Sequence, residues 1–255
     1  MFLDSVPIWA VMVANLVLVF VSLEVGVRLG GKSILRGKEN LEVSGAMVAA
    51  TMALLTFMLA FTFNGAASRH DARRVLVVRE ANAIEATWLR AGFLAEPQRS
   101  EVRGLLKKYV DMNLQAAAGK VPIVEALQQA DVLLDQLWNA ALVAGQQHDG
   151  VMTGLFVQSL NEVIDLHVQR LTVAIRSRVP QTVWLTLHAL MVVGMLMIGM
   201  QMGLSGRRHY GAEIALAISF ALVLFLIVDL DRPQEGLVNV SQQALVDLQM
   251  RLGSH

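Results

Sequence analysis

VSGAMVAATMALLTFMLAFTFNGAASRHDARRVLVVREANAI, residues 43–84, is the stretch on which the fold turns. From Val43 to Phe63 it carries no charged side chain. That is the length and character of a helix that crosses hydrocarbon, which takes about 20 apolar residues at a rise of 1.5 Å each. Charges arrive at Arg69, yet Leu76, Ile84 and Trp88 keep helical spacing beyond it. The pattern predicts one helix that continues past the apolar span without a break.

Working outward, three more stretches pass the same test: Pro7 to Leu29, Val183 to Leu204 and Gly211 to Val228. Pro7 suits the first turn of a helix, and Trp9 and Trp184 lie where indoles favour the headgroup level. The first stretch has no basic residue before it and no small-x-small cleavage pattern after it, so it reads as a retained span. Composition agrees, with 55% hydrophobic and 16% charged residues and a mean hydropathy of +0.53. The chain is too apolar for an ordinary soluble domain. Lys plus Arg equals Asp plus Glu at 21 each, which leaves no net charge to hold a phosphate backbone and argues against nucleic acid as a partner. Without cysteine there is no disulfide, thiolate metal site or cysteine nucleophile.

The connections GGKSILRGKENLE and SGRRHY are short enough to join antiparallel helices, so the spans pair as two helical hairpins. Between them Ser68 to Pro180 reads as a helical bundle. One segment begins at Glu96-Pro97 and ends near Gly119, with Val102, Leu105, Leu106, Tyr109, Val110 and Leu114 at core spacing. Another starts at Pro122 and carries Leu127, Leu134, Leu137 and Trp138, and a third runs from Gly150 towards Pro180. The expected fold is all-α: a first transmembrane hairpin over 1–67, a polar helical domain over 68–180, a second hairpin over 181–230 and a C-terminal tail over 231–255. The final Gly253-Ser254-His255 carries no weight in this reading.

Candidate functional residues sit mainly on the second span. Gly45, Ala49, Ala53, Thr56, Ala60 and Asn64 recur every three or four positions, and Phe57 and Phe61 form an aromatic strip beside them. Two readings fit this face: the lining of a narrow hydrophobically gated pore, or a small-residue seam for close helix packing. Arg69, Arg73 and Arg74 follow, as a basic cluster at a pore mouth or as an interfacial anchor. Gly199 and Gly203 make a GxxxG seam. The same span holds five methionines and His188; copper transport is the minor reading there, and His188 is expected to pair with a neighbouring helix. Asp229 and Asp231 close the last span where the helix dipole disfavours acids, so they call for a cation such as Arg232 or the juxtamembrane arginines. Glu80, Glu85, Asp111, Glu162, Asp165 and His167 invite comparison with a di-iron carboxylate bundle, but no Glu-x-x-His motif is present. There is no phosphate loop, HExxH or G-x-S-x-G elbow either, and no enzyme or cofactor is expected.

Three stretches, LAFTFNGAASRHDARRVLVVREANAI, LAEPQRSEVRGLLKKYVD and LFLIVDLDRPQEGLVNVSQ, in this order and spacing resemble the bestrophin-like membrane proteins of bacteria and plants, whose domain has no assigned function. True bestrophin channels carry F-x-x-N-x-A-x-x-R after the pore helix, matched here by Phe61, Asn64, Ala66 and Arg69. The tryptophan pair that follows in those channels is replaced by His70 and Asp71, and no extended acidic calcium-binding segment is apparent. The resemblance implies a homo-oligomer, a pentamer on the bestrophin pattern. In it the second span of each subunit surrounds a central path for small inorganic ions, with Phe57 and Phe61 at its constriction. The alternative is a membrane sensor or scaffold whose helical domain binds a ligand or partner while nothing crosses. For topology, Lys32, Arg36, Lys38, Arg207 and Arg208 on the short loops oppose Arg69, Arg73, Arg74, Arg79, Arg170, Arg176 and Arg178 on the domain flanks. The resemblance tips the balance towards a cell (inner) membrane protein with a cytoplasmic polar domain.

Overall fold

The computed structural model describes residues 7–34, 41–147, 150–173, 179–205, 210–232 and 237–253. Arg36, Lys38, Arg176, Arg178, Arg207, Arg208 and the last two residues, all named above, lie outside this set. The described helices are α1 (Ile8–Ile34), α2 (Leu41–Ala91), α3 (Gln98–Ala117), α4 (Ile123–Gln147), α5 (Val151–Leu171), α6 (Gln181–Ser205), α7 (Tyr210–Asp231) and α8 (Gln243–Gly253). No strand occurs among the described residues. Four helices are long and apolar enough to cross a membrane, namely α1, α2, α6 and α7. The chain is an all-α membrane protein.

Two compact units divide it, Met1–His70 with Arg178–Asn239 and Asp71–Ser177 with Val240–His255. The first holds the four spans. Its nearest backbone approaches are not within the hairpins: α1 lies against α6 and then α7. Glycines on both helices explain why. A Cβ built on Gly26 or Gly30 would run into the carbonyls of Leu196 and Met200, and one on Gly199 or Gly203 into those of Leu23 and Val27. The seam expected at Gly199 and Gly203 is therefore filled by α1 of the same chain, and Gly30 and Gly31 belong to α1 rather than to a loop. Along the same contact the two ring nitrogens of His188 reach the Trp184 carbonyl at 2.8 Å and the Asn15 side-chain amide at 3.0 Å. Such pairing satisfies a polar group where no water can. Leu55, Leu59 and Ala66 bring one side of α2 into the same core as Leu23, Leu187, Met191 and Leu224.

The second unit is a helical bundle with its own core. Gly119, at φ 69°, ends α3 in the left-handed conformation that glycine adopts without strain. Val102, Leu106, Tyr109 and Val110 of α3 are fully buried. α4 contributes mostly small residues, Ala126, Ala130, Ala140, Ala141 and Ala144, around Leu134 and Leu137, and it turns Trp138 outward. Trp88 of α2 is flanked by Arg103 and Lys107 of α3, 5.0 and 5.1 Å from its ring centre. Residues 243–253, read above as part of a tail, form α8, whose Leu245, Leu248 and Leu252 close this core. Arg251 pairs with Glu85, and Gln249 donates to Asp111, which fixes α8 in register against α2 and α3.

Because the glycine seam is a backbone contact, even one methyl must push the helices apart. Gly203→Ala or Gly26→Ala should lower stability by about 1–3 kcal/mol in a denaturation assay in detergent. Gly104→Ala, on α3 with nothing within 4 Å of the new carbon, should raise it by about 0.5–1 kcal/mol.

Candidate functional site

An α-helix turns about 100° per residue, so buried Leu55, Leu59, Thr62 and Ala66 mark one side of α2 and fix what stands opposite. Ala46, Ala50, Ala53, Phe57, Ala60 and Asn64 form that opposite stripe, and all are exposed. Thr56 and Phe61 flank it, also exposed, with Phe61 about 40° round the helix from Phe57. The two residues are 66% and 67% exposed, so the described residues leave both rings largely uncovered. Gly45 does not join this face, because a Cβ there would meet the Gln201 side chain. Of the four apolar spans, α2 is the least covered, 17% buried against 33–39% for the others.

The three arginines after the span do not share a face. Arg69 turns inward, its Nε 3.5 Å from Asp231 Oδ1. Arg73 is buried and donates to the Val173 carbonyl at 3.5 Å. Only Arg74 of the three stands exposed.

The acids that end α7 are buried, and both accept backbone N–H groups. Asp229 accepts the N–H groups of Leu237 at 2.8 Å and Val238 at 3.0 Å. Asp231 accepts the Val179 N–H at 3.1 and 3.3 Å in addition to facing Arg69. Arg232 is buried as well. Donors aimed at carboxylates offset the unfavourable field of a helix C-terminus. They also tie the chain on both sides of the second hairpin to the end of α7.

A second polar cluster lies inside the bundle unit. Tyr109 of α3, with no exposed surface, places its hydroxyl 2.6 Å from Glu80 Oε1 of α2 and 2.9 Å from His167 Nδ1 of α5. Arg170, one turn beyond His167, pairs with the other oxygen of Glu80 and reaches Asn113 Oδ1 at 3.4 Å. Burial pushes the Tyr109 phenol well above its usual range, and the Glu80 charge adds to this. For Arg170 burial opposes its charge, but Glu80 and Tyr109 outweigh it, so the guanidinium holds its proton more firmly still. The cluster therefore carries an ionised pair with a neutral tyrosine between it and the imidazole. Glu80 and His167 were candidates from sequence, whereas Tyr109, Asn113 and Arg170 were not. The available signals were a tyrosine at a core position, whose hydroxyl needs a partner, and an arginine three residues after a histidine on one helix face. Glu162 and Asp165 face solvent.

A family model described as "Bestrophin-like domain" matches residues 8–245. The chain belongs to the bestrophin-like family. Its fold is similar to the crystal structure of a mutant bacterial bestrophin homologue from Klebsiella pneumoniae, with a TM-score of 0.59 at 14% identity, covering 96% of this chain and 98% of that one. No curated protein matches the sequence. In this bestrophin-like chain the family match spans both polar clusters and the free face of α2.

Asp229→Ala strips two backbone N–H groups of their acceptor and should cost about 1–3 kcal/mol for each donor left without water; Asp229→Asn, which keeps one acceptor, should lose less in the same thermal assay. Glu80→Gln leaves the partly buried Arg170 charge without its counter-ion and should cost about 2–3 kcal/mol, below the range for a fully buried pair because Arg170 keeps some contact with water, measured by the same unfolding.

Proposed function

We propose that this protein is a homo-oligomeric channel of the bestrophin type, passing small inorganic ions along an axis lined by the free stripe of α2. The observation that carries this reading is a contrast in composition between uncovered faces. α1 exposes Val13, Val17, Val21, Val25 and Leu29, and α7 exposes Ile214, Ile218, Leu222 and Leu226. Bulky aliphatics of this kind match lipid tails. The centre of the α2 stripe instead presents alanines, Phe57 and Asn64, with Thr56 on one flank and the larger Met47, Leu54 and Phe61 on the other. Small and mildly polar groups gain little from lipid; they suit close approach of further helices or contact with water. Repeated around a symmetry axis, Phe57 at the middle of the stripe and Phe61 on its flank form an apolar constriction, with Thr56, Ala60 and Asn64 beside them. A hydrophobic ring of this sort closes by expelling water.

Assembly rests on this α2 face and on the family, since Gly199 and Gly203 are engaged by α1. A pentamer follows the bestrophin pattern, in the cell (inner) membrane with the polar domain on the cytoplasmic side. Arg74 is then the member of the basic cluster free to meet passing anions. The similar solved structure is that of a bacterial bestrophin homologue, which supports the same reading.

Phe57→Ala combined with Phe61→Ala should keep the oligomer, measured by light scattering in mild detergent, and raise ion flux into proteoliposomes well above wild type. An intact double variant that stays ion-tight, or a wild type that is monomeric across several detergents, would move the assignment to a membrane sensor. A variant losing about 3–5 kcal/mol per site would mean that the rings are packed between subunits and do not line a path.

A further inference from the structure

Hydrogen-bond polarity in the buried cluster fixes the state of His167. The Tyr109 hydroxyl has one proton, and Glu80, ionised against Arg170, can only accept. Tyr109 therefore donates to Glu80 and accepts at its oxygen from His167 Nδ1–H. A neutral ring in that tautomer carries its lone pair on Nε2. That nitrogen is buried, has no hydrogen-bond partner among the described residues, and lies 3.6 Å from Asp131 Oδ1 of α4. Two acceptors thus face one another across a gap that one proton would bridge. The Asp131 side chain is 69% exposed and that of His167 6%, so the carboxylate connects a buried base to solvent.

We infer that His167 and Asp131 form a proton-operated joint between α5 and α4, open when the ring is neutral and closed by an Nε2–H to carboxylate link on acidification. Closing it leaves the Tyr109, Glu80 and Arg170 bonds as they are, because Nδ1 already carries its proton. This joint is independent of whether the spans conduct.

The groups that face the ring are Glu80 on α2, Tyr109 on α3, Asp131 on α4 and Arg170 on α5 itself. Burial holds the imidazole below its usual range; Glu80 and Asp131 push it up, and Arg170 pushes it further down. Folded His167 therefore binds its proton at lower pH than the unfolded chain does. Its contribution to stability is complete above about pH 6.5 and is lost as the pH falls from there through the folded value. Asp131 limits that loss.

The test uses the full chain in detergent with ring-labelled histidine. Six histidines give six signals, and His167→Gln identifies one by its disappearance. At pH 8 the His167 ring should be the Nδ1–H tautomer. Asp131→Asn, an exposed change, should lower its titration midpoint by about half a unit and deepen the fall in melting temperature on going to pH 5.5, while His167→Gln should make that fall shallower. An Nε2–H tautomer at pH 8, or a midpoint that ignores Asp131→Asn, would overturn the joint.

Discussion

Two helices can bring their backbones together only where neither carries a side chain at the crossing, and α1 and α6 meet through four glycines that satisfy this condition. Much of the membrane unit follows from that contact. Seated on α6, α1 also reaches α7, and the three helices take up one another's surfaces. α2 joins this core by one side only, through Leu55, Leu59 and Ala66, with Met52 near Gly194 and the Thr51 hydroxyl 3.3 Å from the Met197 sulfur. Its other side is left uncovered by the described residues from Ala46 to Asn64. The composition of that side, rather than its exposure, is what separates it from the lipid-like faces of α1 and α7.

Charge is handled differently in the two units. At the end of α7 the acids are placed where the helix dipole is least favourable, and the chain answers with backbone N–H groups from segments on either side of the second hairpin. A carboxylate held this way works as a structural knot: removing it leaves several donors unmet at once. In the bundle, fully buried Glu80 pairs with partly buried Arg170, and the cost of desolvating the carboxylate is met by several partners. Tyr109, Asn113 and His167 complete it, linking α2, α3 and α5 through side chains alone. Apolar packing of α3 against α4 allows several registers; a network with fixed donors and acceptors allows one.

These two arrangements bear on function in separate ways. The free stripe of α2 belongs to the conduction reading, and the family match and the similar fold give it context. The imidazole at the edge of the buried network belongs to the response of the bundle to acid, since its outward nitrogen is the one group of the network open to Asp131. Neither uses the methionines of α6. Met191 and Met195 fill the core of the membrane unit, and this is what a flexible thioether does among helices of uneven spacing.

The sequence by itself determined the class of the fold, the four spans and the unbroken course of α2, because hydropathy over about 20 residues and a 3.6-residue repeat are local properties. It also placed Ala53, Ala60 and Asn64 on one side of α2, but the stripe left uncovered is centred on Phe57, takes in Ala46 and Ala50 and leaves Gly45 out, because the phase of the helix against its core was not known. The partners were decided by the tertiary structure. Gly26 and Gly30 look like the end of a span and the start of a loop until α6 is laid beside them. The three arginines that follow the apolar part of α2 look like one cluster until helical phase is set against the core, which takes Arg69 and Arg73 inward and leaves Arg74 out. Residues 243–253 are too short and too mixed to announce that they complete a core. Tyr109 reads as one more apolar position because its hydroxyl partners lie 29 and 58 residues away. Hydropathy records where a side chain can be buried; the group it meets there depends on contacts distant in the chain, and those exist only once the helices have packed.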